Sequence, residues 1–113
     1  MELEENLVSL QTSEKNGWTL LRMKGRLDRI SAPGVSGEAD KVLAAASRLA
    51  VEMSELEYLS SAGIRVLMRL SKMSRAGGKD FALVAPKGFV KTVLTESRLD
   101  MFVTIYASAE ELP

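Results

Sequence analysis

Hydrophobic and polar positions along the chain follow two periods, and the switches between them outline the elements. Val8, Leu10 and Thr12 alternate with polar residues from Leu7 to Thr12, which predicts a first strand. Asn16-Gly17 is a two-residue hairpin signal, and Trp18 to Lys24 reads as the returning strand, closed by Gly25. Ser31-Ala32-Pro33 has the form of a helix start, after which Val35, Ala39, Val42, Leu43 and Ala46 recur at helical spacing. Gly34 and Gly37 leave that first turn soft. Leu49, Val51 and Met53 alternate with Ala50 and Glu52, a short strand. A second helix begins after Ser60-Ser61, with Ile64, Leu67, Met68 and Ser71 on a face widened by Val66, Leu70 and Met73; Gly77-Gly78 ends it. Phe81 to Ala85 is an apolar run between Asp80 and Pro86, as expected of a buried central strand. Phe89, Val90, Val93 and Leu94 predict a third helix and Phe102 to Tyr106 a last strand. Ser108 to Leu112 predicts one further helical turn, capped by Ser108.

The order β-β-α-β-α-β-α-β predicts a single α/β domain over residues 4–112. It would be a mixed β-sheet with helices packed on at least one face and right-handed crossovers. A chain of 113 residues with 46% hydrophobic and 27% charged positions is long and apolar enough for one such core. Composition then removes function classes. There is no His and no Cys, so no thiol nucleophile, no imidazole base and no zinc site of nitrogen and sulfur ligands. No catalytic residue, metal site or cofactor is expected, and the chain reads as not an enzyme. Lys+Arg and Asp+Glu are 15 each, and a zero net charge argues against nucleic acid as a partner. The acidic start Met1-Glu2-Leu3-Glu4-Glu5 is unlike a signal peptide, and no apolar run is long enough for membrane insertion, so a cytoplasmic location is expected.

The zero hides three blocks. Residues 1–63 carry 7 cations and 10 anions, residues 64–91 carry 7 cations against Asp80, and residues 92–113 carry Arg98 against four acids. Glu52, Glu55 and Glu57 lead up to Ser60-Ser61, and Arg65, Arg69, Lys72 and Arg75 lead away at spacings of 4, 3 and 3. The cationic stripe reads either as the wet face of an amphipathic helix or as a docking face for an acidic partner. One of the two serines suffices to cap the helix; the other would project into solvent, where a phosphate is well placed.

Four stretches together resemble the STAS domain of bacterial anti-sigma factor antagonists and of sulfate-transporter tails. They are Gly25-Arg26-Leu27-Asp28, Leu49 to Ser54, Ser60-Ser61-Ala62-Gly63-Ile64-Arg65-Val66-Leu67, and Leu99-Asp100-Met101-Phe102. In antagonists the third stretch reads Asp-Ser-(Ser/Ala/Thr)-Gly-(Leu/Ile), and the serine after the aspartate is phosphorylated. The resemblance therefore implies Ser61 as phosphoacceptor, with Ser60, standing in place of the aspartate, as a competing acceptor. The partner-binding surface expected around it comprises Asp28, Ser60, Ala62 and Gly63 from the resemblance, and Arg65 and Arg69 from the cationic stripe. Asp28 reads equally well as a turn residue accepting backbone N–H bonds. Arg65 stands where a small residue is common; four residues past Ser61, it is within reach of a phosphate there or is an ordinary solvated cation.

The implied partner is an anti-sigma factor of the serine-kinase type, which binds the ATP, with a phosphatase to reset the switch. The alternative is a STAS adaptor without phosphorylation, serving a lipid-transport ABC system or a sensory assembly.

Overall fold

Asn16 and Gly17 both take positive φ (52° and 82°), as a two-residue hairpin turn of the primed type requires. The turn joins β2 (Val8–Lys15) to β3 (Trp18–Leu27) in register from Val8↔Gly25 to Lys15↔Trp18. A computed structural model describes residues 2–3, as backbone, and 8–113. The expected strand start at Leu7 and the domain start at residue 4 lie outside the described residues. A two-residue strand, β1 (Glu2–Leu3), pairs antiparallel with β2, one strand more than the hydrophobic pattern predicts.

From β3 onward the chain alternates: α1 (Ala32–Ala45), β4 (Arg48–Leu59), α2 (Ser61–Ala76), β5 (Asp80–Val84), α3 (Gly88–Glu96) and β6 (Thr104–Tyr106). The sheet order is β1-β2-β3-β4-β5-β6, with β3 to β6 parallel. When successive parallel strands are neighbours and every crossover turns the same way, all the helices fall on one face. The core agrees. Val35, Ala39 and Leu43 of α1, Val66, Leu67 and Leu70 of α2, and Val90 and Leu94 of α3 share one buried cluster with Leu21, Met23, Leu49, Val51, Met53 and Leu83 of the sheet. The alternating residues Trp18, Leu20, Ala50, Ala82 and Val84 form a smaller core on the opposite face, under Leu112. Trp18 Nε1–H and an Arg48 N–H donate to the Pro113 carbonyl at 3.0 and 2.9 Å and hold that cover down. None of the described helices is long and apolar enough to cross a membrane.

Five expectations change. Gly25 (φ 105°) does not close β3; it lies inside the strand, at a register shift between Gly25 and Arg26 that lets pairing with β4 continue to Leu27↔Leu59. β4 runs six residues beyond Met53, because that shift and another between Arg22 and Lys24 break the alternation that marks a strand in sequence. β6 begins at Thr104, since Leu99–Met101 forms a 3₁₀ turn ending at Phe102. Ser108 precedes a 3₁₀ turn (Ala109–Glu111), but its side chain makes no cap bond. On α2 the buried stripe includes Ser74, whose hydroxyl donates to the Leu70 carbonyl at 2.8 Å, while Met73 is exposed.

Candidate functional site

The carboxyl ends of parallel strands are where α/β sheets gather their functional loops. Here the ends of β3 and β4 meet: the Ser60 N–H donates to the Leu27 carbonyl at 3.0 Å. Ser60 is extended and half-buried, and its hydroxyl accepts from the Gly63 N–H at 3.4 Å, which makes it the N-cap of α2. Ser61, the next residue, is exposed, and its hydroxyl makes no hydrogen bond among the described residues. The two serines thus take the two separate roles open to them, one turned to the helix and one to solvent.

Gly63 is buried, and it holds the turn in place. A Cβ there would stand 2.6 Å from Leu59 Cδ1 and 2.8 Å from the Leu27 carbonyl oxygen, and only glycine lets α2 sit this close to the two strand ends. Ala62 is half-buried at the lip of the α1–α2 groove.

Asp28 lies in the turn after β3, and the turn uses it fully. Its Oδ1 accepts from the Ile30 and Ser31 N–H groups, both at 3.0 Å. The buried Ser31 hydroxyl in turn accepts from the Asp28 N–H at 3.0 Å and donates to the Arg26 carbonyl at 2.8 Å. The backbone bond from Ser31 outweighs desolvation and, with Ile30, the Ser31 hydroxyl and Arg26, holds the Asp28 carboxyl below its ordinary value. These bonds show Asp28 in the role of a turn residue.

Beside it stands a column that no spacing in the sequence announces. The Arg26 guanidinium, with Nε 3.6 Å from Asp28 Oδ2, lies 4.2 Å over the Tyr58 ring. Tyr58 stacks on the exposed Phe89 of α3 at 5.4 Å and 8°.

The acidic run before the serines is not a bare negative patch. Glu52 is buried and paired with its register partner Arg22 (3.0 Å), and its other oxygen accepts from the Ser54 N–H at 2.6 Å. Burial pushes its carboxyl up, but the bonds from Ser54 and Arg22 outweigh this and leave it lowered. Glu55 sits between Arg22 and Lys24, each at 3.8 Å. Only Glu57 of the three remains exposed without an ion pair among the described residues. The change of sign along the sequence is therefore largely cancelled across the sheet.

The cationic stripe divides as well. Arg69 reaches α1, where it pairs with Asp40 at 2.8 Å and donates to the Ser36 hydroxyl. It joins two helices and does not stand free for a partner. Arg75 points toward the Phe102 carbonyl at 3.5 Å. Arg65 is exposed, and so is Arg29 in the turn before α1; neither has an ion pair among the described residues. Both line an open groove of about 340 Å³ between α1 and α2, with Ala32, Pro33, Ala62 and Val66 as its apolar wall and Arg69 at its far side. Among the described residues no group of three or more Asp or Glu is arranged to hold a metal ion.

Residues 9–112 match the STAS domain. Among solved structures, the chain is similar to an anti-sigma factor antagonist from Mycobacterium paratuberculosis, with 19% identity, a TM-score of 0.83, and coverage of 92% of this chain and 89% of that one. It is also similar to the anti-sigma factor antagonist SpoIIAA in its unphosphorylated form (18% identity, TM-score 0.74, 91% of each chain covered). The phosphorylated form of SpoIIAA, the Bacillus cell fate determinant, matches at 17% identity and a TM-score of 0.68, covering 91% of this chain and 95% of that one.

Proposed function

Since the chain belongs to the STAS domain family, we propose that it is an anti-sigma factor antagonist: a non-enzymatic binding protein switched off by phosphorylation of Ser61. The observation that carries this reading is the division of labour between the serines. Ser60 is occupied as a cap and tied to Leu27, whereas the Ser61 hydroxyl faces solvent at the tip of the turn. The partner is an anti-sigma factor of the serine-kinase type, which binds the ATP. In the transfer, Ser61 Oγ attacks the γ-phosphorus. A new O–P bond forms as the bond to the departing ADP oxygen breaks, and the hydroxyl proton passes to a base of the kinase.

Before transfer, the turn and the neighbouring groove present a neutral-to-cationic surface to the partner. Afterwards the turn bears about −1.5 to −2 charges and the bulk of a phosphate, which a close-packed interface cannot hold without desolvating it. The domain need not refold, because the change is local to an exposed side chain. A phosphatase restores the hydroxyl.

The test is to incubate the chain with an anti-sigma factor of the serine-kinase type, ATP and Mg²⁺, and map the modified residue by mass spectrometry. Phosphate on Ser61 is expected, and its absence from both serines removes the switch. The second reading, an adaptor of a lipid-transport ABC system or sensory assembly, is favoured by one observation. Ser60 replaces the aspartate implied by resemblance and serves as a plain cap. Affinity capture that recovers a transport ATPase in place of a sigma-regulating kinase decides for it.

A further inference from the structure

We infer that a phosphate on Ser61 is gripped by this chain's own Arg65 and Arg29 at the mouth of the α1–α2 groove, so that the modified state is latched from within. The inference rests on Ser61 as the acceptor and adds how the modified state is kept. Three observations carry it. Arg65 lies four residues after Ser61 in α2, a spacing that makes the two side chains neighbours on the helix surface, with Cβ atoms about 5–6 Å apart. Arg29 reaches the same groove from the turn before α1. Both guanidiniums are exposed and unpaired among the described residues, whereas Arg69, the third arginine of the groove, is already neutralised by Asp40.

Charge decides what these two cations favour. A phosphoserine of about −1.5 to −2 charges matches two guanidiniums, whose planar forks bond phosphate oxygens in pairs. The unmodified chain holds no anion at this mouth among the described residues to compete. Two consequences follow. The gripped phosphate favours its dianion and loses its second proton at a lower pH than a free phosphoserine. It is also shielded from hydrolysis, so the switch resets slowly. Phosphorylation then alters the docking face twice, by adding an anion at Ser61 and by withdrawing Arg65 and Arg29 from contact with a partner.

The experiment installs phosphoserine at position 61 during translation, independent of any kinase, and follows the folded chain by phosphorus NMR across pH. The comparison is with Arg65→Ala, Arg29→Ala and the double variant; both side chains are exposed and unpartnered, so the fold tolerates their loss. The second pKa of the phosphate is expected to lie about half a unit or more lower in the parent than in the double variant. Dephosphorylation by alkaline phosphatase is expected to be several-fold slower in the parent. Arg65→Lys, which keeps the charge but loses the fork, should fall between the parent and Arg65→Ala. Equal titration and equal dephosphorylation in parent and double variant overturn the latch. If the kinase fails to modify Ser61 while the installed phosphate titrates low, the latch stands and the kinase switch falls.

Discussion

At Gly63, Ser60 and Ser61, adjacent residues divide structural and chemical work, and each division has a measurable consequence. Gly63→Ala places a methyl group against Leu59 and the Leu27 carbonyl, a backbone atom that cannot turn aside. The expected loss is about 1–3 kcal/mol, the range for overpacking a close contact, read from the urea midpoint. Ser60→Ala removes the α2 cap and is expected to cost about 0.5–1 kcal/mol, toward the low side because the bond is long at 3.4 Å. Ser61→Ala touches an exposed hydroxyl with no bond and is expected to change stability by less than about 0.5 kcal/mol. The same variant should abolish phosphate uptake, whereas Ser60→Ala should leave Ser61 as the acceptor. A larger stability loss from Ser61→Ala than from Ser60→Ala would reverse these roles. The spacing of the Ser60-Ser61 pair left open which serine caps the helix; the resemblance pointed to Ser61 as the acceptor, and the bond to Gly63 identifies Ser60 as the cap.

Among the elements, the turn between β3 and α1 and the pairing of β3 with β4 each depend on an ionised carboxylate. Asp28 and Glu52 both titrate below their ordinary values in the folded chain. Such a group binds its proton more readily when unfolded. Its stabilisation is therefore present above the unfolded value, near 4, and is lost as pH falls through the lower folded value. Unfolding free energy is expected to hold between pH 7 and about pH 5 and to decline below about pH 4. Asp28→Asn and Glu52→Gln should each flatten that decline, and a decline unchanged in both would refute the assignment. The element pattern was readable where alternation, an apolar run or helical spacing was unbroken, as in β2 up to Thr12, β5 and α1; the last three residues of β2 lack that signal. It failed at the end of β4, where register shifts interrupt the period. Pairs such as Arg22–Glu52, 30 residues apart, and Arg69–Asp40, 29 apart, depend on which elements become neighbours, so no local spacing could signal them. The Arg26–Tyr58–Phe89 column was hidden for the same reason, since it joins three separate elements.

For the molecule as a whole, the sheet order places all helices on one face and gathers the turns after β3 and β4 at one end, with Ser61 at their tip. The net charge of zero, first a reason to set nucleic acid aside, becomes a statement about pairing. Most acids of β4 and one arginine of α2 are spent within the fold, leaving Arg29 and Arg65 without an ion pair among the described residues, both lining the α1–α2 groove. On the proposed function, a phosphate on this one exposed serine releases the partner without unfolding the domain. The most direct test of this release is calorimetric titration of the serine-kinase-type anti-sigma factor with the chain, unmodified and then stoichiometrically phosphorylated on Ser61. Phosphorylation is expected to weaken binding by about a hundredfold or more, roughly 2.7 kcal/mol, with an unchanged circular dichroism spectrum. Equal affinity for the two forms would contradict it.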